Sequence, residues 1–348
     1  MSVRTGAQTK GAPHARISFR TIQSASVLIL LVVLCIFSSI QSDTFLTWRN
    51  LVNNLLTNAS YVGIIACGMT LVMIAGGFDL SVGSIAAVCN AVAVILLRDL
   101  AGAGPWLAIS VAVAGTVLAG TLLGVANGAL VSYVGVNPFV TTLSTMLVFR
   151  GIALVITRGG QSIEVPLNLA ETFRQFYWGR VPLFGSDVYR VSVPILVFLG
   201  VFAVLHCLLR YTRYGHYVRA VGGNETAAWL AGINAAGVKA VSYTICGFAC
   251  AVAALLYTGM SNTAEAAGYH GLEMIVIAAV IVGGTPLGGG SGSLWCTLNG
   301  LLLLSVIENL LIQFGIDEEY RNIIRGMIIL VVVAVDVAAR KARAKGRG

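Results

Sequence analysis

Long apolar runs, almost free of charged residues, follow one another from Val27 into the last 40 residues of the chain. A helix of about 20 apolar residues crosses the hydrocarbon core with every backbone polar group satisfied inside the segment. Ten segments read this way, at about 25–41, 55–76, 81–98, 106–133, 137–157, 191–209, 238–259, 270–285, 292–313 and 321–338. Only 10% of the 348 residues are charged and 57% are hydrophobic, against about 25% charged in soluble domains. That balance excludes a water-soluble enzyme, a disordered chain and a disulfide scaffold. A transmembrane barrel would show alternating segments of about ten residues rather than continuous runs. The expected fold class is all-α: a polytopic membrane protein with about ten transmembrane helices.

The formal charge of +8 has a topological cause. Arg4, Lys10, Arg16 and Arg20 precede the first run. Arg210, Arg213, Arg219 and Lys239 fall between the sixth and seventh, and Arg340, Lys341, Arg343, Lys345 and Arg347 close the chain. Glu225 alone stands against these clusters. Lys and Arg remain on the cytoplasmic side of membrane proteins. An inner N-terminus and ten crossings put all three clusters inside, and leave 158–190 and Asp317–Glu319 outside. A nine-span count would put one basic terminus outside. The organisation expected is a basic cytoplasmic tail (1–24), a membrane domain (25–338) and a second basic tail (339–348). The outer loop 158–190 has room for one short helix. The run Val27–Ile40 after a basic stretch also reads as a signal peptide, but its removal would spoil the even count. Membrane lipid is an expected partner. Nucleic acid is not, because no basic patch is interleaved with aromatics.

The seven cysteines, Cys35, Cys67, Cys89, Cys207, Cys246, Cys250 and Cys296, all lie in apolar stretches. They read as small buried hydrophobes, with no metal site and no disulfide framework. None of the four lysines stands in a Gly-x4-Gly-Lys-[Ser/Thr] loop, so the chain has no phosphate cradle of its own. His-Glu-x-x-His and Gly-x-Ser-x-Gly are absent too, which disfavours an intramembrane enzyme. No catalytic residue, metal or cofactor is expected in this chain.

A charge in lipid costs about 2.5 kcal/mol or more, so each charge inside a span needs a partner or water. Glu308 and Arg325 should lie at similar depth in the last two segments, which predicts a structural ion pair. Arg150, deep in the fifth segment, either meets free carbonyls or lines a hydrated cavity. Most carboxylates lie near span ends or in loops, which weakens the reading as an ion-coupled carrier.

Two Gly-rich interruptions hint at an internal repeat: Gly76-Gly77-Phe78-Asp79-Leu80-Ser81-Val82-Gly83-Ser84, and Gly283-Gly284-Thr285-Pro286-Leu287-Gly288-Gly289-Gly290. Such interruptions at matching places free backbone from helix in transporters. Asp79 or Ser81 reads as a cap for the following helix, or as part of a fixed break near a translocation path. In the inner loop Asn224 reads as the cap of a short helix, Glu225 to Ala231, ended by Gly232. That helix is either a solvated connector or a docking surface for another subunit.

The inner loop, with Arg219-Ala220-Val221-Gly222-Gly223-Asn224 and Ala227-Ala228, resembles that of permease subunits of ribose-type binding-protein-dependent ABC importers. The first break resembles the family's Gly-Gly-Ile-Asp-Leu-Ser-Val-Gly-Ser, with Phe78 in place of Ile. Asn127-Gly128, Asn137-Pro138-Phe139, Thr142-Leu143, Arg150-Gly151 and Val282-Gly283-Gly284-Thr285 are similar to further patches of that family. Phe78 and Pro286 are departures. The resemblance covers the chain from about residue 50 to the last span.

It implies an ABC importer permease fold in the bacterial inner membrane. The partners it implies are a second copy or a paralogue of the permease, two ABC ATPase domains carrying ATP and Mg, and a periplasmic sugar-binding protein. It makes 210–238 an ATPase-docking loop, with Gly222, Gly223, Asn224, Glu225, Thr226, Ala227 and Ala228 at its contact. Gly76, Gly77, Asp79, Leu80, Ser81, Gly83 and Ser84 become a signature break, and Gly283, Gly284, Thr285, Gly288 and Gly289 a second. The implied substrate is a ribose-like pentose, a hexose or a related polyol, moved by alternating access. The alternative from the residues alone is an ion-coupled secondary carrier or facilitator of small polar solutes.

Overall fold

The computed structural model describes residues 19–183 and 185–345. The expected tail 1–24 lies outside them up to residue 18. The chain is a helical bundle whose elements are α1 (Phe19–Gln41), α2 (Thr57–Ile74), α3 (Val82–Asp99), α4 (Pro105–Ala129), α5 (Pro138–Ile156), α6 (Leu167–Trp178), α7 (Val193–Tyr211), α8 (Arg213–Gly223), α9 (Glu225–Leu230), α10 (Ala235–Ser261), α11 (Leu272–Val282), α12 (Leu294–Gln313) and α13 (Glu318–Lys345). A π-helical stretch, Arg49–Leu56, leads into α2, and another, Leu130–Val134, prolongs α4. Among the described residues, seven helices are long and apolar enough to cross a membrane. These are α2 and α4 with their π turns, α3, α5, α7, α10 and α12.

The interior is built by α2, α3 and α10, which bury most of their surface, while α4, α5 and α7 leave broad apolar faces outward. Leu147 and Val155 on α5 and Val204 on α7 are exposed. A water-facing surface would not carry such a belt, and lipid tails cover it without penalty.

Helices approach closely where side chains are small. Gly120, Gly124 and Gly128 recur every four residues on α4 and pack on the backbone of α10. A Cβ on Gly124 would lie 2.6 Å from the Tyr243 carbonyl oxygen, and one on Gly128 2.8 Å from that of Ala240.

The expected segment 270–285 is a helix of only 11 residues, α11. The chain reaches it through an irregular stretch, 262–271, with Gly271 in the left-handed region at its end. Asn90 on α3 anchors that stretch. Its Nδ2 donates to Thr258 Oγ1 (2.7 Å) and the Thr263 carbonyl (3.0 Å), and its Oδ1 accepts from Glu265 N (2.8 Å).

The expected loop 158–190 holds more than one helix. Beside α6 it forms the hairpin β2 (Arg180–Leu183) and β3 (Ser186–Ser192), and β1 (Ile163–Glu164) pairs antiparallel with β4 (Thr263–Ala264). Asn168 Nδ2 bonds the Ala101 carbonyl (2.9 Å), and Trp48 Nε1 bonds that of Arg190 (3.1 Å). Connections 42–48, 100–104 and 157–192 thus share one end of the bundle. Helix also extends into both expected basic tails, since α1 begins at Phe19 and α13 runs to Lys345.

Candidate functional site

At the other end of the bundle, three glycine pairs from distant parts of the chain meet. α2 ends at Ile74, and Gly76, with φ of +88°, turns the chain out of the helix. The loop after α11 turns at Pro286–Gly289, where Gly289 N bonds the Pro286 carbonyl (3.1 Å). Gly289 and Gly290 then take φ of +72° and +74°. Gly290 N donates to the carbonyl of Ile74 (2.8 Å), an acceptor that the end of α2 leaves free. Gly222, in the last turn of α8, closes the junction. A Cβ there would strike the Ile74 carbonyl oxygen and lie 2.6 Å from Gly290 N. A Cβ on Gly289 would lie 2.7 Å from Gly76 Cα, and one on Gly290 2.7 Å from Gly223 Cα. Backbone here packs on backbone, with no side chain between to take up movement.

α8 is an element that sequence reasoning missed. Thr212 Oγ1 caps it weakly from Gly215 N (3.4 Å). Arg219 Nη1 bonds the Leu209 carbonyl (2.7 Å), the end of α7. Val218 and Val221 are buried with Ile74, Leu209, Ala228 and Val238 in one apolar cluster. Tyr214 ties α8 to α10 through Ser242 Oγ (2.8 Å). Burial pushes its hydroxyl up to about 12, so it stays neutral. Position 214 lies four before Val218 and seven before Val221, and that i, i+4, i+7 spacing is the signal that would have revealed the helix.

α9 projects from this base. Asn224 Oδ1 accepts from Ala227 N (2.9 Å), and Gly232 ends the turn with φ of +81°. Ala228 is the side chain of α9 that is buried. Glu225 accepts from Lys239 Nζ (2.6 Å), and Thr226 and Ala227 are exposed. Trp229 and Leu230 stand 67% and 74% exposed at the tip. Two large apolar side chains thus stand in the open on a basic, polar loop.

The first break is pinned at its far side. Asp79 is fully buried. Its Oδ1 accepts from Ser81 N (2.8 Å) and Ser81 Oγ (2.6 Å), and Asn127 Nδ2 on α4 bonds Ser81 Oγ (2.7 Å). The cap expected of Asp79 or Ser81 takes another form. Ser81 is the N-cap of α3 but its side chain makes no cap bond; its hydroxyl donates to Asp79 and accepts from Asn127 instead. Ser84 Oγ returns to the Ser81 carbonyl (2.8 Å), and Leu80 is buried. Tyr243 OH on α10 donates to the Phe78 carbonyl (3.1 Å), and the Phe78 ring meets Phe139 edge to face. Gly83 faces the Glu273 carboxylate of α11.

In the second break, Gly283 lies against the Cys296 carbonyl of α12, Thr285 is buried beside Gly292, and Gly284 and Gly288 make the turns. Arg150 Nη1 donates to the Ala266 carbonyl (2.6 Å) in the irregular stretch before α11, so it meets a free carbonyl. Glu308 and Arg325 are 2.7 Å apart (Oε2 to Nη2). Arg321 Nε adds a second contact to Glu308 at 3.6 Å.

The sequence-expected residues thus fall in two groups. Gly76, Gly77, Gly222, Gly223 and Gly289 share the junction, and Asp79 to Ser84 extend from it into the bundle. Glu308 and Arg325 lie elsewhere. Gly290, the Ile74 carbonyl and Asn127 complete the first group.

The family described as "Branched-chain amino acid transport system / permease component" matches residues 51–333, a span that contains every part of the junction. The chain belongs to this permease family. The permease is 36% identical over 315 residues to the ribose import permease protein RbsC of Escherichia coli strain K12, covering 90% of this chain and 94% of that one. It is 33% identical over 308 residues to the D-allose transport system permease protein AlsC of the same strain, with 88% and 89% covered. It is 34% identical over 319 residues to the fructose import permease protein FruF of Bifidobacterium longum, with 89% and 85% covered. No solved structure matches the permease.

Proposed function

We propose that this chain is the membrane-spanning permease subunit of an ATP-driven importer for a monosaccharide, a ribose-like pentose, a hexose or a related polyol. ATP and Mg belong to two ATPase domains on other polypeptides. A second permease copy or a paralogue completes the pore, and a periplasmic binding protein delivers the sugar. The chain lies in the bacterial inner membrane with ten crossings, both termini and the loop 210–238 inside, and 158–190 outside.

One observation carries this reading. The exposed α9, with Trp229 at its tip, stands on α8, and α8 touches both Gly-rich breaks through Gly222 and Gly223. Force applied at α9 reaches α2 through Ile74 and Gly76, and reaches α11 and α12 through Gly289 and Gly290. A ligand shifts a two-state equilibrium only by its differential affinity for the two states. An ATPase that binds α9 differently when closed and when open supplies that difference. The relatives' names, with ribose, D-allose and fructose, support the substrate class.

The test is sugar uptake into proteoliposomes holding the permease alone, with its ATPase chain, and with ATPase and binding protein together. Accumulation is expected only in the complete, ATP-supplied assembly. Accumulation by the permease alone, driven by an ion gradient, would overturn the reading in favour of a secondary carrier.

A further inference from the structure

A second polar region lies away from the junction. The stretch 49–74, α12 and α13 enclose a cavity of about 360 Å³, in the lower part of the roughly 300–1,000 Å³ range of small-molecule pockets. Most of its lining is apolar, Val62, Leu301 and Leu304 among it, and a row of polar side chains interrupts that lining. Asn50, Asn54 and Asn58 recur every four residues and all line it, facing Glu308 and Gln313 of α12.

The hydrogen bonding there is incomplete. Asn50 and Asn309 exchange two bonds of 3.0 Å each, and Gln313 Nε2 donates to Asn309 Oδ1 (2.9 Å). Gln313 Oε1 is then buried without a partner. The side chains of Asn54 and Asn58 bond no other described residue. Glu308 is already engaged by Arg325 and Arg321. An amide offers both a donor and an acceptor. Lipid tails in this cavity would leave those groups unsatisfied, at a cost comparable to lost hydrogen bonds. A charged solute would have to compete with the existing ion pairs. A neutral solute with several hydroxyls satisfies amide donors and acceptors alike.

We infer that this cavity is a transient binding station for the transported polyol, held by the side-chain amides of Asn54, Asn58 and Gln313. The inference rests on the reading of the chain as a sugar permease and adds residues of the solute path to it.

The purified permease in lipid nanodiscs, without ATPase or binding protein, is probed with D-ribose, D-allose and D-fructose by saturation-transfer NMR. L-leucine is the zwitterionic comparator. At least one sugar should receive saturation. Asn54→Leu with Asn58→Leu should weaken its binding at least tenfold, and Asn54→Gln with Asn58→Gln should retain it. Both asparagines are exposed, and equal thermal midpoints for the three proteins verify intact folding. In the full assembly the leucine pair should lower sugar uptake at least tenfold. Absence of saturation on every sugar, L-leucine binding in their place, or equal behaviour of the leucine and glutamine pairs would overturn the inference. If the assembly accumulates no sugar yet the lone permease binds one in an amide-dependent way, the transport reading falls and the cavity remains a sugar-binding site off any transport path.

Discussion

Gly222 and Gly223 are neighbours with opposite surroundings. A methyl group on Gly222 has nowhere to go, because the Ile74 carbonyl and the Gly290 amide occupy its place. A methyl group on Gly223 meets nothing within 4 Å. Backbone cannot swing aside as a lysine tip can, so Gly222→Ala must separate α8 from α2 or from the 283–293 loop. Overpacking of this kind costs about 1–3 kcal/mol, whereas Gly223→Ala should stay within about 0.5 kcal/mol of wild type. Thermal unfolding in detergent measures both. Equal midpoints for the two variants would show that the junction is not the tight contact described. Gly223, with its open side, is therefore the position at which the proposed docking contact can be probed without harm to the fold.

Between elements, the α4–α10 seam depends on the absence of side chains. Gly124→Leu would drive an isobutyl group into the Tyr243 carbonyl and the backbone of Gly247. The helices must part, and the Asn127 bond to Ser81, one turn further along α4, parts with them. Loss of about 3 kcal/mol, or failure to accumulate in the membrane, is expected. Gly151→Leu on α5, where a Cβ meets nothing within 4 Å, is the matched control and should unfold with wild type.

Elements differ in how far the sequence reveals them. The short helix after Asn224 was readable because its cap, its helix-favouring interior and its terminal glycine lie within nine residues. α8 was not, because Gly215, Gly222 and Gly223 lower its helix propensity and tertiary burial of Val218 and Val221 sustains it. The asparagine stripe on 49–58 escaped notice because Asn50 and Asn54 lie in a polar π-helical stretch ahead of the apolar run that marked the span, and Asn58 alone falls within it. Segment 270–285 had the composition of a span, but Gly271 and the anchoring of 262–265 by Asn90 shorten the helix. The convergence of residues 76, 222 and 289 had no local signal. Glycines far apart in sequence share no pattern that foretells contact.

For the whole molecule, the two ends of the bundle carry different chemistry. One end gathers the junction, α8 and α9, with Arg210, Arg213, Arg219 and Lys239 nearby. The other gathers α6, the β2–β3 hairpin and the β1–β4 pair, where Glu164, Glu171 and Asp187 balance the basic residues. Lys and Arg near span ends orient a membrane protein, whereas near-balanced loops exert little pull. The proposed orientation, with the end bearing α9 toward the cytoplasm and α6 toward the outside, follows from this rule. Exposed positions test this directly, namely Glu171 on α6 and Thr226 on α9. In a background where the exposed Cys207 is serine, Glu171→Cys should react with a membrane-impermeant maleimide added to intact cells. Thr226→Cys should react only after the membrane is opened. The reverse pattern would point the proposed docking helix away from any ATPase and would defeat the importer reading, whatever the chain is similar to.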